Sequence, residues 1–160
     1  MQADGNDVNP SATIQRPPLR IVLCGTSHPG NIGGTARAMK VMGLTRLVLV
    51  APKRGAFPSE EATARAVSAV DVLESAEVYP TLNEAVAGCS LVVGNTARER
   101  HIGPQVMLPR PFCEQAAQLS GGGEVALVFG RERTGLSNEE VDICQRLIRI
   151  PTQEAFASLN

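Results

Sequence analysis

Short apolar runs without polar alternation recur along this 160-residue chain, and most are followed by a turn and a stretch compatible with a helix. Arg20 to Cys24, Leu47 to Val50, Ser90 to Gly94, Val125 to Phe129 and Leu147 to Ile150 carry this strand signal, and Val78-Tyr79 is a weaker sixth. A strand with one wet face alternates. Strands that do not alternate are covered on both faces, as happens when helices cross over between parallel neighbours. The pattern therefore predicts an α/β fold with a mostly parallel six-stranded sheet and helices on both faces.

The helix signals fall between the runs. A helical stretch from about Gly33 to Met42 has Gly43 placed to end it, and Glu61 to Leu73 is helix-compatible. Thr81-Leu82-Asn83-Glu84 reads as a capping box with Gly88 closing the helix it opens, and Ser137-Asn138-Glu139-Glu140 as a second box. Pro111 suits the first turn of a helix running to about Leu119. Residues 1–19, rich in Gln, Asp, Asn, Pro and Ser, lack periodicity and read as a flexible leader, leaving 20–160 as one domain.

A hydrophobic content of 43% supports a buried core, and no apolar run is long enough to span a bilayer, so a cytoplasmic protein is expected. Cys24, Cys89, Cys113 and Cys144 are far apart, without a C-x-x-C pair, and read as buried or half-buried reduced thiols, with no metal expected. The net charge of −1 argues against a uniformly basic nucleic-acid binder. Its distribution says more. Lys40 and Lys53 are the only lysines among the 15 basic residues, and arginine is the cation suited to bidentate phosphate contact. Arg98, Arg100, His101 and Arg110 cluster against Glu99 alone, so a basic face is compatible with the neutral total.

Three loops after strands are rich in Gly, Asn, Arg and Glu: 28–37, 129–137 and 150–160. Ligand sites of open α/β sheets gather at such strand ends. A phosphate-cradling P-loop needs Lys-Ser or Lys-Thr after its second glycine, but Gly30 is followed by Asn31-Ile32. A dinucleotide fingerprint needs different glycine spacing and an acidic residue after the second strand, which here ends Val50-Ala51-Pro52. Asn31 and Arg37 remain, readable as a turn residue and a solvated charge or as a polar pair flanking a ligand. Gly33-Gly34 favours the second reading, because glycine costs about 1 kcal/mol in a helix and close approach is a usual reason to keep it. In the second loop, Arg131-Glu132-Arg133 is either a solvated turn or a carboxylate orienting an arginine. Ser158-Leu159-Asn160 resembles a helix start without its helix.

Asn31-Ile32-Gly33-x-x-x-Arg37, Leu127 to Ser137 and Ile150-Pro151-Thr152 through Ser158-Leu159-Asn160 resemble, in order, the three motifs of the SpoU/TrmH branch of the SPOUT RNA methyltransferases. His28 to Asn31, Arg37 to Lys40 and Gly130 to Arg133 are most similar to the group that methylates the ribose of cytidine or uridine at tRNA position 32. The resemblance implies a C-terminal trefoil knot, an exception to the rule that chains do not thread. It also implies S-adenosylmethionine bound in that knot, S-adenosylhomocysteine as product, a tRNA substrate and a homodimer.

By matched position, Asn31, Arg37, Glu132, Ser158 and Asn160 would form the catalytic set, and Asn95, Thr96, Ala97, Gly130, Ile150, Ser158 and Leu159 the cofactor site. Arg98, Arg100, His101, Arg131 and Arg133 are candidates for RNA contact, each equally open to a structural ion-pair role. The family assigns Arg37 the general-base role. A guanidinium stays protonated far above neutrality, so stabilising the developing alkoxide and a neighbouring phosphate, with Glu132 holding its geometry, is the expected contribution. The family continues past Ser-Leu-Asn into a further helix, so the domain reads as truncated at its C-terminal helix. A catalytically silent knotted RNA-binding module and a nucleotide-dependent oxidoreductase are the competing classes.

Overall fold

The structure, a computed structural model, describes residues 17–97 and 103–152. The described chain runs β1 (Leu19–Cys24), α1 (Pro29–Val41), β2 (Arg46–Val50), α2 (Glu60–Ala66), α3 (Val70–Glu74), β3 (Glu77–Tyr79), α4 (Leu82–Ala85), β4 (Leu91–Asn95), β5 (Gln105–Met107), α5 (Pro109–Leu119), β6 (Val125–Phe129), α6 (Asn138–Ile143) and β7 (Arg146–Ile148). Among these residues one seven-stranded sheet has the order β3-β2-β1-β6-β4-β7-β5. Every strand pair in it is parallel. The predicted α/β class and the helices on both faces are observed. The seventh strand is β5, three residues at the sheet edge that carry no long apolar run.

Non-alternating strands have the consequence expected of them. One face buries Val22, Val48, Val92, Val128 and Leu147 under α4 and α6. The other divides into two clusters, with Ile21, Leu23, Leu47 and Leu49 beneath α1, α2 and α3, and Leu91, Val93 and Val125 beneath α5. Leu127 touches both clusters of that divided face and Phe129 is half-buried at its end, so the sheet is incompletely covered between α1 and α5. Each fully buried Val or Leu contributes about 1.5–3 kcal/mol relative to exposure.

Helix boundaries follow local chemistry. Helix α1 starts at Pro29, earlier than expected, because proline occupies its first turn at no hydrogen-bond cost. The stretch expected as one helix from Glu61 to Leu73 divides at Val67, whose φ of 53° no α-helix accepts. Ser137 and Glu140 form the complete reciprocal capping box, and Thr81 caps α4 by accepting from the Glu84 backbone N–H. Cys24 and Cys144 are buried and Cys89 is half-buried, but Cys113 departs from expectation because it faces solvent on α5. Burial pushes the Cys24 thiol up to about 12 and Cys144 to about 11, leaving both protonated.

Two features position the strand ends. Gly33 lets α1 and α2 touch, since a Cβ there would lie 2.2 Å from the Ala62 carbonyl oxygen. The close approach expected of the glycine pair is therefore helix packing at Gly33, while Gly34 faces open space. Strand β7 is inserted between β4 and β5, so the connection leaving β4 re-enters the sheet on the far side of the chain's last described strand.

Candidate functional site

In a parallel sheet all strands end on one side, and here the ends of β1, β4, β6 and β7 surround one cleft of about 730 Å³. That volume lies within the range of small-molecule sites. Leu23 and Phe129 supply apolar wall, while Asn95 at the end of β4, Thr96 and Ala97 just after it, and Ile150 and Thr152 after β7 line the rest. The Thr96 backbone N–H donates to the Ile148 carbonyl at 3.0 Å, tying the two loops together.

The loop after β6 folds on itself. Arg131 and Gly135 exchange backbone hydrogen bonds of 3.1 and 2.9 Å, making a tight turn that brings Gly135 against Gly130. A Cβ on Gly130 would lie 2.1 Å from the Gly135 carbonyl carbon, so this position has no room for a side chain. The turn carries Glu132 to the first loop. One carboxylate oxygen accepts from the Ser27 backbone N–H at 3.2 Å, the His28 N–H at 3.3 Å and the Asn31 Nδ2 amide at 3.1 Å. The other accepts from the Ser27 hydroxyl at 3.2 Å. Burial works to raise the Glu132 pKa, but its own backbone N–H, the Asn31 amide and the Ser27 and His28 N–H groups outweigh it, leaving the carboxyl below its ordinary range. The positive N-terminal end of α1 acts in the same sense.

Arg131 points the other way. Its Nη1 and Nη2 donate to both Glu140 oxygens at 2.8 and 3.2 Å, and Glu140 also accepts from the Ser137 N–H at 2.7 Å. Burial raises the Glu140 pKa, but the Arg131 and Ser137 bonds outweigh it and hold the carboxyl low. The guanidinium passes over Gly25, where a Cβ would lie 2.7 Å from Nε and where φ is +59°. Adjacent residues thus anchor one loop in two directions, Arg131 to α6 and Glu132 to the start of α1. The carboxylate orienting an arginine is Glu140, not Glu132.

Asn31, Asn95, Thr96, Ala97, Gly130, Arg131, Glu132, Arg133 and Ile150 all line one cleft, so four separate sequence segments meet there. Arg131 is committed to an ion pair, whereas Arg133 is exposed. Arg37 is exposed on α1 between the wall residues Gly34 and Ala38, and among the described residues it makes no hydrogen bond or ion pair. The bond expected between Arg37 and Glu132 is absent there, because Glu132 is occupied by Ser27, His28 and Asn31. Arg98, Arg100, His101, Ser158, Leu159 and Asn160 lie outside the described residues. Sequence reading missed Gly25, Ser27 and Glu140. Only the capping box marked Glu140, and it gave no hint of Arg131.

Residues 18–160 match the model of the SpoU rRNA Methylase family. The chain belongs to this family. Within it, the chain is 52% identical over 143 residues to the tRNA (cytidine/uridine/adenosine-2'-O-)-methyltransferase TrmJ of Pseudomonas aeruginosa, covering 89% of this chain and 55% of that protein. A probable methylase family protein from Haemophilus influenzae superposes with a TM-score of 0.82 at 44% identity, covering 90% of this chain and 60% of the other. TrmJ from Z. mobilis gives 0.79 at 41%, covering 88% and 62%. The chain spans about half the length of the curated SpoU-family relatives it matches.

Proposed function

We propose that this chain transfers a methyl group from S-adenosylmethionine to a ribose 2'-hydroxyl of tRNA, at cytidine or uridine 32 of the anticodon loop. The convergence of Asn31, Glu132 and the loops after β4, β6 and β7 on one cleft carries the reading, in a chain half identical to a tRNA 2'-O-methyltransferase. The cleft fits the cofactor. It is large enough for a nucleoside bearing an amino-acid tail, its apolar wall suits a base, and Gly130 lines it with backbone alone. When bound, S-adenosylmethionine supplies an activated methyl on a sulfonium leaving group.

The protein's share is alignment and electrostatics. With the cofactor bound, the 2'-oxygen would take its methyl as the sulfur–carbon bond breaks, and the hydroxyl proton would pass to solvent water. Glu132 keeps Ser27, His28 and Asn31 rigid at the start of α1, while Asn95 and Thr96 offer polar groups to the cofactor. Arg37 stabilises the developing alkoxide through its planar guanidinium and anchors a neighbouring phosphate. Ser158 and Asn160 complete the set, and Leu159 joins the cofactor site. A homodimer belongs to the proposal, supported by Val41 and Met42, 84% and 58% exposed at the end of α1. Among the described residues no helix is long and apolar enough to cross a membrane, and a tRNA substrate sets the place of action in the cytoplasm.

Nucleoside mass spectrometry of tRNA incubated with the full-length protein tests this reading. Wild type yields 2'-O-methylated nucleoside at position 32. Arg37→Ala lowers kcat by about 10²–10³-fold, the usual cost of one preorganised charge-stabilising donor. Base-methylated product refutes the ribose assignment, and near-full rate in Arg37→Lys refutes the role of a planar guanidinium.

A further inference from the structure

We propose that Lys53 and Arg54, on the turn after β2, form a second station for the sugar-phosphate backbone of the RNA substrate, outside the cleft and continuous with it. The proposal rests on the RNA-methylation reading above.

Placement comes first. The Lys53 backbone N–H donates to the Thr26 carbonyl at 2.9 Å, and the Gly25 N–H donates to the Val50 carbonyl at 2.8 Å, so the segment after β2 is stitched to the first loop. Thr26 lines the cleft, and the next residue, Ser27, is held by Glu132. A turn closed by the Ala56 N–H on the Lys53 carbonyl, with Gly55 at a φ of 83°, presents Lys53 and Arg54 side by side. From Arg133 through Glu132, Ser27 and Thr26 to Lys53, the contacts are unbroken.

Charge supplies the second argument. Arg20, Lys40, Arg46 and Arg131 each reach a carboxylate. Lys53, Arg54 and Arg133 are exposed and make no ion pair with any described residue. The nearby acids are otherwise arranged: Glu61 sits 3.9 Å from His28, and Glu132 is filled by neutral donors. Two adjacent cations repel each other, and among the described residues no carboxylate pairs with either. A polyanion does. The net charge of −1 gives no global attraction, so affinity for RNA requires local stations of this kind. Phosphate contacts set position rather than sequence choice, which suits side chains outside the reacting cleft.

Binding of the tRNA substrate to the full-length protein, measured across a salt series, tests the proposal, with calorimetric S-adenosylmethionine affinity as companion. Lys53→Ala/Arg54→Ala is expected to bind tRNA about tenfold more weakly at low salt, to flatten the salt slope by about 1.5–2, and to keep wild-type cofactor affinity. Lys53→Glu/Arg54→Glu deepens the loss, and Lys40→Ala, which removes a cation already paired with Asp71, leaves the slope unchanged. Unaltered affinity and slope in both double variants overturn the station while leaving the methylation reading intact. Loss of cofactor affinity in the double alanine variant also overturns it, by assigning the turn to the cleft. Absence of tRNA binding by wild type overturns the methylation reading itself, and the station with it.

Discussion

The two ends of the parallel sheet use the same charged residue types with different shares of paired and unpaired cations. At the amino ends of the strands, Arg20 and Arg46 share the Glu124 carboxylate at 2.7 and 2.8 Å, and Arg46 also reaches Glu77 at 3.6 Å, which accepts from the Tyr79 hydroxyl at 2.6 Å. Cations and anions close on each other there. At the carboxyl ends Arg131 likewise closes on Glu140 at 2.8 Å, but Glu132 is surrounded by neutral donors, and Arg37, Lys53, Arg54 and Arg133 make no ion pair with a described residue. The difference teaches that counter-charge, more than residue type, separates an arginine that holds the fold from one left available to a ligand.

The comparison breaks first at Glu124. Glu124→Gln leaves Arg20, 5% exposed, without its anion, and should cost about 3–5 kcal/mol in urea unfolding. Full stability in that variant would remove the structural half of the contrast. Glu132→Gln and Glu140→Gln come next, each expected to lose about 1.5–3 kcal/mol at neutral pH, the scale of hydrogen bonds to a charged group. The sign with pH is set. Both carboxyls lie below their ordinary range in the folded protein, so their stabilisation is present above that range and lost as pH falls through the folded values. Unfolding curves of variants and wild type should therefore converge on acidification, and a gap that widens would contradict the assignment. Lys40→Ala should cost least, because its pair with Asp71 is exposed and screened by solvent. A loss as large as that of Glu124→Gln would erase the distinction between buried and surface pairs.

Much of the fold was legible because burial writes itself into strand composition. Leu47 to Val50 or Val125 to Phe129, apolar throughout, have no other compact use than a strand covered on both faces. Gln105–Met107 was not legible. Three residues with one polar member carry too little pattern, and their strand state depends on β7 pairing alongside. The division at Val67 was equally hidden, since a positive φ at a β-branched residue comes from tertiary packing rather than preference. At the site, the motif residues Asn31 and Glu132 were readable and their direct bond was not. Glu140 shows why: a capping box accounts locally for its carboxylate, and nothing in the sequence says that an arginine nine residues earlier shares it.

Strand β7 comes last among the described strands, yet pairs with neighbours on both sides. A chain that paired β4 directly with β5 would leave β7 no place in the sheet. Because β7 delivers Ile150 and Thr152 to the cleft, the wall they form depends on β7 lying between its two neighbours. A ligand held by that wall is therefore sensitive to a strand that sits between two parts of the chain that precede it.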